Sequence, residues 1–114
     1  MNRLILTLLK NIGFPYACTS FAVGEAPKLP YLVFLIPRSD VTYADGTNFY
    51  TQILVSFELY TKRKDRSAER RVEQALEDAL ISYSKSEVFI PGEDMYEVIY
   101  EFEMEDENHE EKQS

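Results

Sequence analysis

The sequence predicts an α+β domain, a small antiparallel sheet of three to four strands with two helices packed on one face. Two segments, residues 4–12 and 68–83, carry apolar residues at helical spacing. Three others, 31–36, 49–61 and 95–104, are continuous or alternating apolar runs closed by turn residues or charge. At 114 residues the chain fits one compact domain, here residues 1–104, followed by an acidic tail at 105–114.

The first helix rests on Leu4, Ile5, Leu8, Leu9 and Ile12, with Gly13 and then Pro15 as its stop. Lys10 breaks the apolar run after Leu9, so an amphipathic helix is favoured over a secretion signal. Residues 14–30 contain Pro15, Gly24, Pro27 and Pro30 without periodicity and read as a surface connection. Tyr31 to Ile36 is a six-residue apolar strand ended by Pro37. Residues 38–48 are polar around Asp45-Gly46, an unusually long hairpin tip. From Phe49 to Thr61, Ile53, Val55, Phe57 and Leu59 alternate with Gln52, Leu54, Ser56, Glu58 and Tyr60.

Ala68, Val72, Ala75, Leu76, Ala79, Leu80 and Tyr83 define the stripe of a second helix about 27 Å long. Asp65 or Ser67 caps it, and Glu69, Arg70, Glu73, Glu77 and Asp78 form its solvated face. On that helix Leu80 is buried under the sheet, so a charge placed there is expected to unfold the domain. Val88-Phe89-Ile90 is a short strand before Pro91-Gly92. The last strand, Met95 to Met104, sets Tyr96, Val98, Tyr100, Phe102 and Met104 against Glu97, Ile99, Glu101 and Glu103. From Glu105 onward there is nothing to bury, and residues 106–114 are expected to be disordered.

Several function classes are disfavoured at once. Cys18 is the only cysteine and His109 the only histidine, which removes an intrachain disulfide, a Cys/His zinc site and a histidine triad. Only four glycines are present, with no phosphate-cradling loop among them. No catalytic, cofactor-binding or metal-ligating residue is nominated, and an enzyme is not expected. No segment is long and apolar enough to span a bilayer.

Charge is unevenly distributed. The net charge is −8, yet residues 1–92 hold 11 basic and 10 acidic side chains, against 1 and 10 in residues 93–114. The acidic end argues against DNA or an anionic membrane as its partner. Lys62, Arg63, Lys64, Arg66, Arg70 and Arg71 make a basic corner, while Glu97, Glu101 and Glu103 share one face of the last strand. Such patches are commonly plain solvated surface. The alternative is a head-to-tail contact in which the basic corner of one copy meets the acidic strand of the next. The apolar run 31–36 adds a second candidate surface, covered either by residues 14–30 or by a neighbouring subunit.

From about Leu29 to Met104 the chain resembles the small tail-terminator, or tail-completion, proteins of long-tailed bacteriophages, also called head–tail joining or minor capsid proteins. The resemblance lies in Leu29-Pro30-Tyr31-Leu32-Val33-Phe34, Tyr43-Ala44-Asp45-Gly46-Thr47-Asn48-Phe49-Tyr50 and Glu58-Leu59-Tyr60-Thr61. The helix Glu69 to Leu80 and the strand Met95 to Met104 complete it. It implies a virion protein assembled in the host cytoplasm, a hexameric ring on the head-proximal end of the tail tube. That ring would stop tube growth and offer the docking surface for the head connector, with DNA passing through but not bound specifically. Tyr43 and Asp45 in the hairpin tip become candidate contacts with neighbours or the tube end. Two other readings stay open: a head-side connector protein, and an acidic decoy for a DNA-binding protein acting through residues 93–114.

Overall fold

The computed structural model describes residues 2–22, 24–44 and 48–106. Two helices, α1 (Arg3–Ile12) and α2 (Arg66–Asp78), accompany five strands: β1 (Tyr16–Cys18), β2 (Tyr31–Ala44), β3 (Asn48–Thr61), β4 (Ser84–Ile90) and β5 (Met95–Glu105). They form one sheet in the order β1-β2-β3-β5-β4. β1 is parallel to β2 and every other pairing is antiparallel. The fold is therefore α+β with a mixed five-strand sheet, where the sequence predicts three to four antiparallel strands. The additional strand is β1, three residues hidden in the supposed connection 14–30. It is too short to alternate and is held by pairing Tyr16, Ala17 and Cys18 with Leu32, Val33 and Phe34 and by Tyr16 packing on the core.

α1 starts where Asn2 accepts hydrogen bonds from the backbone N–H groups of Leu4 (2.9 Å) and Ile5 (3.2 Å). It ends at Gly13, whose φ of 86° belongs to the left-handed region that glycine enters without strain. Ile5, Leu8, Leu9 and Ile12 are buried, and Leu4 lies at the margin. They join Ala68, Val72, Ala75 and Leu76 of α2 in a single cluster with the sheet residues Leu32, Phe34, Ile53, Val55, Phe57, Leu59, Val98, Tyr100 and Phe102. The register aligns these strand residues across one face, with Leu32 opposite Leu59, Phe57 opposite Tyr100 and Val55 opposite Phe102.

β2 does not stop at Pro37. Leu35 pairs with Ser56 and Arg38 with Leu54, so Ile36 and Pro37 together face one residue of β3, a bulge that accommodates the missing N–H of proline. The strand then continues to Ala44, and residues 38–44 are ladder rather than loop. The long hairpin tip expected at 38–48 is thus mostly strand, and the remainder, including Asp45, lies outside the described residues. β3 pairs with β5 only from Gln52 onward, so the β2–β3 hairpin runs on past the sheet as a two-stranded ribbon.

α2 departs from its expected length. Asp65 caps it by accepting from the Ala68 N–H at 3.0 Å. The helix spans 13 residues, on the order of 20 Å rather than 27 Å. Leu80 takes φ 59°, and Ile81 N–H returns to the Leu76 carbonyl at 2.9 Å. This termination carries the chain off the helix, so Ile81 instead of Leu80 packs on the core. Leu80 is 93% exposed, and the expectation that it is a core residue is wrong. β4 begins at Ser84, four residues before the short strand read from Val88. At the far end, Glu105 belongs to β5, and the Asp106 N–H bonds the Thr51 carbonyl at 2.8 Å. Backbone pairing extends the strand there without a buried side chain, and residues 107–114 lie outside the described ones.

Candidate interaction surfaces

The basic corner dissolves into three kinds of residue. Lys64, Arg70 and Arg71 are used within the chain. Arg70 forms a two-pronged pair with Glu77 at 2.8 and 2.9 Å, which fixes it along its own helix. Arg71 donates to the Ile12 carbonyl at 2.6 Å and lies 4.1 Å over the Phe14 ring, tying α2 to the end of α1. Lys64 bridges Glu69 and Glu87 at 3.0 and 2.6 Å. Arg66 sits on the first turn of α2 in the field of Glu87. Lys62 and Arg63 are exposed and make no ion pair among the described residues.

Glu69 and Glu73 do not belong to a solvated face, as the helical periodicity suggests. Glu69 is 3% exposed, with Lys64 and Lys85 on its carboxylate at 3.0 and 2.8 Å. Glu73 accepts from Lys85 and from the Tyr100 hydroxyl, each at 2.8 Å. Burial alone would raise the Glu73 pKa, but these bonds outweigh it and hold the carboxyl below its ordinary value. For Lys85, burial is likewise outweighed by its two carboxylates, which hold its ammonium above the usual lysine range. Tyr100, buried and bonded to Glu73, is pushed far above the phenol range. The stripe argument misses this cluster because Lys85 arrives from β4, and only the sheet order brings it over α2.

The acidic strand divides in the same way. Glu97, Glu101 and Glu103 lie on the sheet face away from the core cluster, as alternation requires. Arg38 pairs with Glu103 at 2.9 Å and with Asp40 at 3.0 Å, all three exposed. Glu101 is exposed beside a shallow cleft of about 340 Å³ lined by Leu54, Tyr83, Ser84 and Phe102. Glu97 has a different neighbour. The Tyr60 hydroxyl sits 2.9 Å from Glu97 and 3.1 Å from Glu58, so one O–H faces two carboxylates. All three side chains are half-buried, and neither carboxylate has a cationic partner among the described residues. Burial raises the Glu58 pKa, the Tyr60 hydrogen bond opposes this, and the charge of Glu97 raises it further.

Thr19, Ser20, Phe21 and Ala26 lie beside the same outer face, lining a cleft with Tyr31, Val33 and Tyr60. Phe21 meets Tyr31 edge-on at 5.1 Å, and Tyr31 meets Tyr60 at 5.3 Å. Val33 is buried beside these residues, whereas Ile36 remains exposed. The projecting ribbon exposes Val41, Tyr43 and Tyr50, at 50%, 77% and 52%. Tyr43 is therefore on the surface.

Among the described residues no group of three or more His, Cys, Asp or Glu could hold a metal ion. No described helix is long and apolar enough to cross a membrane. Cys18 is exposed at the end of β1, its sulfur 3.8 Å from the Thr19 hydroxyl. No protein-family model matches the sequence, and no curated protein matches it.

Proposed function

We propose that this chain is a structural assembly subunit that caps the head-proximal end of a phage tail tube as a ring, most simply a hexamer, and presents the surface on which the capsid connector docks. The residue resemblance described above suggests the role, and the β2–β3 ribbon is the observation that carries it. Two strands extend beyond the rest of the sheet and display Val41, Tyr43 and Tyr50 to solvent. Val41 and Tyr50 give this protruding arm exposed apolar surface that a neighbouring subunit or a tube end can bury. The surface around Glu101 and Glu103 suits a DNA passage, since like charge keeps the nucleic acid from adhering. In this reading the protein works in the virion and catalyses nothing.

Electron microscopy of a lysate from a phage that encodes the chain, with its gene deleted, tests the role. Headless tails of abnormal length are the expected result. Free tails of normal length would move the role to the head side of the joint. Normal virions would overturn the proposal. Complementation with Val41→Asp/Tyr50→Asp, a pair confined to the exposed ribbon, is expected to give folded protein that does not restore joining.

A further inference from the structure

The outer face contains a cleft whose lining is mixed in a specific way. Phe21, Tyr31, Val33, Tyr60 and Met95 line it with apolar and aromatic surface, and Glu93 adds a carboxylate, around a volume of about 270 Å³. At its side the Tyr60 hydroxyl is shared between Glu58 and Glu97. One hydroxyl proton cannot satisfy two carboxylates, and no described cation balances them. Aromatic walls beside uncompensated, half-desolvated negative charge are chemistry suited to a cationic side chain with an apolar stem.

The chain itself offers such side chains. Of the basic corner, Lys64, Arg70 and Arg71 are engaged within the subunit, which leaves Lys62, Arg63 and Arg66 exposed and without an ion pair among the described residues, Arg66 lying in the field of Glu87. Lys62 and Arg63 follow directly on β3, whose last pairing is Thr61 with Tyr96, and lead to α2. We propose that the cleft receives the Lys62–Arg63 corner of a second copy. This inference rests on the ring reading and deepens it: it replaces a diffuse attraction between basic and acidic patches with one contact. In that contact an Arg63 guanidinium lies against the Tyr31 and Tyr60 rings and reaches Glu58 and Glu97. Glu103 and Lys64, already satisfied within the subunit, are outside it.

Sedimentation of the full chain over a concentration series, at about 0.1 M and 1 M salt, provides the test. Self-association that weakens at high salt is expected. Lys62→Glu/Arg63→Glu and, separately, Glu58→Lys/Glu97→Lys are each expected to weaken it by about tenfold or more, as for loss of a desolvated charge pair. Thermal melting confirms that each variant is folded, and Glu58→Gln/Glu97→Gln substitutes if the lysine pair is not. An equimolar mixture of the two charge-reversed variants should associate again, because each then offers a surface complementary to the other. The idea fails if wild type stays monomeric, if the Lys62/Arg63 variant associates normally, or if folded reversed variants remain apart when mixed. Failure here leaves tail capping to be judged by the deletion phenotype, which does not depend on which residues join the copies.

Discussion

Replacing Glu69 by alanine removes the carboxylate on which Lys64 and Lys85 converge and leaves two ammonium groups beside the end of the core. Glu69 is 3% exposed, and its side chain holds Lys64 at 3.0 Å and Lys85 at 2.8 Å. Breaking a fully buried pair costs about 3–5 kcal/mol. Here the lysine side chains keep 35% and 32% of their exposure, and each has a second partner, Glu87 or Glu73. Solvent and those partners recover part of the loss, so the expected cost is about 2 kcal/mol. With a urea slope of about 2 kcal/mol/M, the unfolding midpoint should fall by about 1 M. Glu77→Ala is the matched control, because Glu77 pairs with Arg70 on the exposed side of the same helix and should cost far less than Glu69→Ala. The Glu69 effect should survive high salt, since a buried pair is poorly screened. Equal losses for Glu69→Ala and Glu77→Ala, or a Glu69 loss below about 0.5 kcal/mol, would refute the argument that burial sets the difference.

The remaining expectations concern backbone, core and pH. Leu80→Gly should stabilise the domain by about 0.5–1 kcal/mol in thermal melting, because Leu80 contributes little burial and sits at φ 59°. Leu80→Asp should remain folded. Gly13→Ala should cost about 1–2 kcal/mol by urea titration, since φ is 86° and a new Cβ would lie 2.5 Å from the Arg71 guanidinium that holds Ile12. Phe57→Ala, at the centre of the sheet against Phe102 and fully buried, should cost about 3–5 kcal/mol. Acidification separates Glu73 from Glu58. The lowered pKa of Glu73 supplies stability above the unfolded carboxylate value, lost as pH falls through its folded pKa, so Glu73→Gln should flatten the acid limb of a stability–pH curve. The raised pKa of Glu58 works in reverse, so Glu58→Gln should stabilise at neutral pH, by an amount that shrinks as pH falls through the Glu58 pKa.

The candidate surfaces were only partly legible in the chain. Alternation correctly placed Glu97, Glu101 and Glu103 on one face, because a strand leaves side chains no other choice. It could not tell that Glu103 is paired with Arg38, reached only through the register of β2 on β3 and β3 on β5. Six clustered basic residues likewise suggested one patch. Their separation into Arg70 on its own helix, Arg71 at the end of α1 and Lys64 over Glu69 depends on what lies next to α2 in space.

Local patterning by itself determined what local physics controls: the α1 stripe with its Gly13 stop, the alternation of β3 and β5, and the start of α2 at a cap of either Asp65 or Ser67. Each follows from spacing along a single element. Tertiary structure decided the rest. β1 exists because β2 offers an edge, and β2 runs through Pro37 because a bulge absorbs the missing N–H. The stripe leaves Leu80 for Ile81 because the backbone turns left-handed where α2 ends. Glu69 is buried because Lys85 crosses from an edge strand to neutralise it. In each case the deciding partner is remote in sequence or outside the repeating geometry of a helix or strand, where periodicity carries no information.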